Sequence, residues 1–263
     1  MMYRIQLARE RWLLLGWCIG LLVYFFIIGV SYATVKDHEK GLDALWQELP
    51  KPLRDAFGDA PSITTPGGYF EARGTSLLPL VLGGALVAQA TRRLSGAEQA
   101  GELDLVLSLP VRRSTYFWSH AAVGATHAIA WLAAAAVGAV AGMAAAGVDG
   151  GDLPRIAFML LDVLPFVLAV QASALWVGVA LHRRTPGIAI LTASLAAVFL
   201  MHIVGSLDES LQWLRWLSPY SLWVQGNPFG YDSDVGYLVV CGAFVVVGLF
   251  VAAFTWDRKD LMS

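Results

Sequence analysis

Residues 114–148 read STYFWSHAAVGATHAIAWLAAAAVGAVAGMAAAGV, a run without Asp, Glu, Lys or Arg between Arg113 and Asp149. A helix rises 1.5 Å per residue and a bilayer's hydrocarbon core is roughly 30 Å thick, so about 20 apolar residues cross it. This run is long enough to cross and then tilt or protrude, most naturally at its Tyr116–His120 end. A second charge-free run separates Asp162 from Arg183. The 263-residue chain is 57 % hydrophobic and 14 % charged, with mean hydropathy +0.61. A soluble domain carries about 25 % charge, and here the deficit is concentrated in the long runs.

The expected fold is therefore an all-α membrane protein with six transmembrane helices. Their expected positions are Trp12–Tyr32, Thr75–Thr91, Thr115–Gly147, Ile156–Leu181, Gly187–Gly205 and Val235–Trp256. One transmembrane domain covers 1–263, with outer loops at 33–74 and 206–234 and an opposite-side loop at 92–113. The second span is short and holds Pro79 and the Gly83–Gly84 pair, which are tolerated where neighbours cover the freed backbone. The first apolar segment has no small-residue cleavage site and reads as a retained anchor. Cys18 and Cys241 both lie inside apolar spans and read as packing residues.

Six spans put both termini on one side, and Lys and Arg in short flanks decide which. The side holding the termini and the 92–113 loop has eleven basic residues and six acids, the other seven basic residues and thirteen acids. The termini are expected in the cytoplasm and the chain in the inner (plasma) membrane as a multi-pass protein. No basic cluster is long enough to suggest nucleic acid. In the outer loops Leu42, Leu45, Trp46, Leu49, Leu53 and Phe57, and then Leu207, Leu211, Leu214 and Leu217, recur at near-helical spacing. They predict helices that either lie in or re-enter the interface or form a lid on the span ends. Trp12, Trp118, Trp213, Trp216, Trp223 and Trp256 fall near expected interfaces, the ordinary pattern of an aromatic belt.

The loop between the second and third spans, Arg92 to Arg113, reads RRLSGAEQAGELDLVLSLPVRR. Leu103, Val106, Leu107 and Pro110 follow i, i+3, i+4, i+7, with Glu98, Glu102 and Asp104 on or beside the other face. A short amphipathic helix ended by Pro110 is expected, since proline cannot continue it. Leu94–Gln99, LSGAEQ, is close to the LSGGQ signature of ABC ATPases. An ATPase also needs G-x-x-x-x-G-K-[ST] to cradle phosphates, and Gly-Lys occurs nowhere in the chain.

The segment Glu98–Arg113 closely resembles the cytoplasmic loop of ABC-transporter permeases of the bacterial type-2 exporter family, E-x-x-G-T-L-E-L-L-L-S-x-P-V-S-R. The matching positions are Glu98, Gly101, Leu103, Asp104, Leu105, Leu107, Pro110, Val111 and Arg113; Glu102 and Arg112 depart from it. Phe254–Leu261, FTWDRKDL, is similar to the family's terminal F-x-R-R-D-L, with Asp257 as an extra residue. The resemblance implies a non-catalytic membrane subunit that pairs with a second permease copy or a homologous permease. It implies a separate ABC ATPase dimer that binds ATP and Mg, with no cofactor in this chain itself. Glu98, Gly101, Glu102, Leu103, Asp104, Leu107, Pro110 and Arg113 would form the ATPase-coupling element. Residues 1–12 would be an amphipathic elbow on the inner leaflet, where Arg4, Arg9 and Arg11 meet anionic headgroups at roughly 1 kcal/mol each.

Polar groups inside spans are costly and need partners. Asp162 and His202 lie at similar depth on consecutive spans, so they are expected to pair, fixing the helices or lining a pathway. His120 and His127 share a face of the third span, and Gln171, Ser173 and Gln89 are further inter-helix candidates. A metal site wants ligands about one turn apart plus a further cluster, and nothing supplies one. Gly138, Gly142 and the Ala-rich stretch Ala133–Ala146 predict close helix approach. An intramembrane enzyme would need a nucleophile with its base, paired acids or H-E-x-x-H at depth. No G-x-S-x-G or H-E-x-x-H occurs, and Asp162 is the only intramembrane acid. A permease-like subunit with a regulatory or mechanical role shares every sequence feature of an exporter.

Overall fold

The computed structural model describes residues 2–36, 65–103, 112–181, 183–207, 209–225 and 233–259. Among these, every regular element is helical, and six helices are long and apolar enough to cross a membrane. They are Arg11–Thr34, Pro66–Gln99, Arg113–Ala145, Leu153–Ala180, Arg184–Gly205 and Val235–Arg258. A separate helix, Met2–Arg9, precedes the first. The expected outer-loop stripe at Leu42–Phe57, and Asp104, Leu107 and Pro110 of the expected coupling helix, lie outside the described residues.

The second and third spans form the middle of the bundle. About half of their residues are buried, against 11 % in the sixth span. The first span packs along the third, and the fourth lies between the second and the sixth. Phe25, Phe70, Leu82, Phe117, Trp131 and Leu132 anchor the core.

The second span is much longer than its expected bounds. Thr65 caps it, its Oγ1 accepting the Gly68 N–H at 3.2 Å, and Pro66 sits where its missing N–H costs nothing. Two π-helical turns, Glu71–Thr75 and Arg92–Gly96, extend it at either end. Thr75 Oγ1 donates to the Phe70 carbonyl at 2.7 Å, and Ser95 Oγ to the Thr91 carbonyl at 3.0 Å. Gly67, Gly68 and Arg93 near its ends read as loop in the sequence because their burial is supplied by neighbouring spans.

First and third spans meet backbone to backbone. A Cβ on Gly138 would strike the Leu22 carbonyl and one on Gly142 the Phe26 carbonyl. The small residues thus serve contact within one chain, the close approach such residues permit in a membrane.

The fourth span is two helices, Leu153–Leu161 and Leu164–Ala180. Pro165 has no N–H and its ring opposes the carbonyl four residues back, so the helix breaks at Asp162–Val163. Tyr237 of the sixth span bridges the break. Its hydroxyl donates to the Asp162 carbonyl at 2.8 Å and accepts the Phe166 N–H at 3.2 Å. Freed backbone groups inside a bilayer must be satisfied in this way.

The segment after the fifth span folds back onto the ends of the spans. Short helices at Trp213–Leu217 and Pro219–Gln225 carry Tyr220 and Trp223 into the bundle, where both are buried. Tyr220 donates to the Ser76 carbonyl at 2.7 Å and Ser218 Oγ to the Val198 carbonyl at 2.8 Å. Trp12, Trp118 and Trp213 are exposed as a belt requires, but Trp223 and Trp256 are packed inside.

Candidate functional site at the loop end of the bundle

Glu10, Arg92 and Arg93 stand in the sequence as charges flanking spans. Folding brings them together. Glu10 lies in the turn between Met2–Arg9 and the first span, and Arg93 in the π-helical turn ending the second. Arg93 grips both carboxylate oxygens of Glu10, with Nε 3.0 Å from Oε1 and Nη2 on Oε2. Arg92 Nη2 adds a contact to Oε1 at 3.1 Å. The Arg93 side chain is 6 % exposed. A buried guanidinium needs a carboxylate of this kind, and the fork geometry suits a bidentate pair. Burial alone would raise the Glu10 carboxyl, but the hydrogen bond from Arg93 and the charges of Arg93 and Arg92 outweigh it. The net effect holds Glu10 below the ordinary carboxylate value.

The network continues inward. Arg93 Nη2 donates to Gln89 Oε1 at 2.6 Å, one helical turn back, and His127 Nδ1 lies 2.6 Å from the same oxygen. Arginine only donates, so the shared Gln89 atom is the oxygen and His127 Nδ1 carries the proton. The 3.3 Å approach of Arg93 Nη2 to His127 Nδ1 is then a contact between donors and no bond. His127 Nε2 is buried, 3.9 Å from Glu10 Oε2. Its ring stacks on Trp131 with centroids 5.5 Å apart.

Beside this network is a cavity of about 550 Å³ among the N-terminal helix, the end of the second span, the start of the third and Arg184 of the fifth. His120, 6 % exposed, is on its wall and receives Gln6 Nε2 at 3.0 Å on its Nε2. Tyr116, on the same wall, donates to the Arg93 carbonyl at 3.2 Å.

The loop residues expected to act together are divided by the structure. The second-span helix runs through LSGAEQ to Gln99, with Leu94 and Ser95 buried, so that stretch is a helix end. It stops at Gly101, whose φ of +70° is the left-handed conformation that ends helices and favours glycine. Leu103, on the expected docking stripe, is buried in this chain's own core. Glu102 is exposed, with Arg9 Nη2 3.8 Å from its Oε2. Glu98 pairs with Lys259 of the C-terminal tail at 2.5 Å. Arg113 Nη1 donates to the Lys259 carbonyl at 3.0 Å, and Trp256 Nε1 to the Arg113 carbonyl at 2.9 Å.

The polar residues deeper in the spans also have definite partners. Asp162 and His202 each have another partner: Ser233 Oγ donates to Asp162 Oδ1 at 2.6 Å, and His202 Nδ1 faces Ser221 Oγ at 3.1 Å. Gln171 Nε2 crosses to the Ala121 carbonyl at 2.8 Å. Among the described residues no cluster of His, Cys, Asp and Glu could hold a metal.

A family model described as the C-terminal domain of the multidrug efflux system permease Rv1217c matches residues 4–256. A comparison with curated proteins found no match.

Proposed function

The chain belongs to the permease family that this model describes, and we propose that it is the membrane subunit of an ATP-driven exporter of the bacterial type-2 kind. In this proposal it forms half of a translocation pathway beside a second permease copy or a homologous permease. ATP and Mg are bound and hydrolysed by a separate ATPase dimer, which engages the Glu98–Arg113 loop from the cytoplasm. The chain itself does no chemistry on its cargo.

The observation that carries the proposal is the meeting of loop and tail. Glu98–Arg113 and Phe254–Leu261 are the two stretches that resemble type-2 permeases, and Glu98 and Lys259 stand 2.5 Å apart. A loop pinned to the sixth span through Lys259 and Trp256 transmits displacement into the bundle, where a loose loop would absorb it. The cargo is apolar or amphipathic, in keeping with the multidrug description of the family. A cavity of about 320 Å³ among the fourth, fifth and sixth spans is lined by Phe166, Val170, Leu195 and Phe244, with Ser173 and Ser194 as its hydroxyls. Pockets of a few hundred Å³ with few polar groups suit such compounds.

Glu102 is the residue to test. It is exposed and stands 3.8 Å from Arg9, so Glu102→Arg leaves the internal contacts of Glu98 intact. The expected result is loss of co-purification with the ATPase subunit and loss of its stimulation by reconstituted permease. Wild-type co-purification and stimulation by a correctly folded Glu102→Arg permease would remove Glu102 from the docking surface.

A further inference from the structure

We propose that the 550 Å³ cavity at the loop end of the bundle is a binding site for a phosphoryl group, on a phospholipid headgroup or free in solution. The inference stands on the cavity and does not require the ATPase proposal.

The charges around it do not balance. Arg9, Arg92, Arg93 and Arg184 line the cavity, with Glu10 and Glu102 as its acids. Glu10 is already used: one oxygen takes Arg92 Nη2 and Arg93 Nε, and the other takes Arg93 Nη2. Glu102 stands 3.8 Å from Arg9, beyond hydrogen-bond distance. Four guanidiniums against two carboxylates leave two positive charges facing one space. The stems of Arg92 and Arg184 come together over Gly96, each within 4 Å of where a Cβ there would stand.

Three buried polar atoms of cavity-lining residues also lack partners among the described residues. The Arg184 Nε–H has no partner among the described residues. Gln6 Nε2 stands 3.0 Å from His120 Nε2, and the other amide atom, Gln6 Oε1, is buried without a partner among the described residues. His120 Nδ1 is buried and has no partner among the described residues. A buried polar group without a partner is costly, and a planar guanidinium fork matches phosphate oxygens. A phosphoryl group supplies both the missing negative charge and several acceptor oxygens. The volume holds a headgroup.

The test uses the purified full chain in an uncharged detergent, titrated with dioctanoyl phosphatidylglycerol, inorganic phosphate or dioctanoylglycerol. Native mass spectrometry and the shift in thermal unfolding midpoint report binding. The phosphatidylglycerol is expected to bind and to stabilise, and dioctanoylglycerol to do neither. Arg184→Gln is expected to weaken phosphatidylglycerol about tenfold, the scale of one charge-assisted hydrogen bond. Arg155→Gln, at the exposed start of the fourth span, leaves it unchanged. Inorganic phosphate that competes with the lipid and shares the Arg184 dependence makes free phosphate a ligand; phosphate without effect makes the lipid headgroup the source. Should Arg184→Gln lose its unfolding transition, the exposed Arg9→Gln takes its place, with weakened phosphatidylglycerol again the expected result. The proposal is overturned if no phosphoryl probe binds. It is also overturned if dioctanoylglycerol binds as well as the phospholipid, or if the folded site variant matches Arg155→Gln.

Discussion

Arg93 is the residue whose environment governs the loop end of the molecule. Its guanidinium is nearly fully buried and held by Glu10 and Gln89. Removing one partner of a buried ion pair strands the other, at about 3 kcal/mol. Glu10→Gln is therefore expected to lower the thermal unfolding midpoint of the purified chain at neutral pH. The pH dependence has a defined sign. Glu10 is held below its ordinary value of 4.5 in the fold, so the unfolded chain takes up its proton first as pH falls. The pair's contribution is complete above pH 4.5 and disappears as pH drops through the lower folded value. Unfolding midpoints of wild type and Glu10→Gln are expected to converge in acid; a gap that stays constant from pH 7 to pH 3 contradicts the assignment. The sequence displays part of this network, since Gln89 and Arg93 are spaced i, i+4 and face the same way on a helix. It does not display Glu10, which is 83 positions from Arg93 and reads as one more flanking charge.

At the scale of the element, apolar spacing identifies the spans better than it identifies their interruptions. The fourth span reads as one crossing because Asp162 is a single acid in an apolar run. Pro165 indicates a break, but only the packed sixth span reveals what makes it tolerable. Tyr237 satisfies one carbonyl and one N–H across the gap. Each of these bonds is worth about 1 kcal/mol net, and an unsatisfied buried group costs about 1–3 kcal/mol. Tyr237→Phe keeps the ring and removes both bonds, so a loss of about 2–4 kcal/mol in resistance to unfolding is expected. Hydrogen exchange localises it: amides at the break, Phe166 among them, gain exchange while those of the third span do not. Uniform exchange gain over the whole chain would instead mean that the hydroxyl has no local role. The second span shows the opposite limit of periodicity. Its Gly and Arg residues at both ends lower its apparent hydropathy, yet it is the most buried of the six, because shielding by neighbours replaces apolar side chains.

For the whole molecule, six crossings are legible from charge-free runs alone, whereas the joining of the chain's two distant ends to one loop is not. Glu10 arrives near the beginning and Lys259 near the end, and both fasten to the same terminal turns of the second span. Position in sequence cannot show this, because the contact depends on how the first, third and sixth spans are arranged around the second. The pairing Glu98–Lys259 lies with one side chain 7 % and the other 14 % exposed. Either single charge reversal, Glu98→Lys or Lys259→Glu, places two like charges in a nearly dry pocket. Each is expected to lower stability by about 3 kcal/mol. The double variant restores opposite charges at the same separation, so a double-mutant cycle reports the pair free of solvation changes at either site alone. Unfolding midpoints of the four proteins in detergent measure it. Recovery of most of the lost stability in the double variant is the expected outcome, and strictly additive losses contradict a direct pair. The same four proteins separate strap from docking surface. If Glu98 acts through Lys259, stimulation of the proposed ATPase partner recovers with stability in the double variant. If Glu98 itself meets the ATPase, stability recovers and stimulation stays lost.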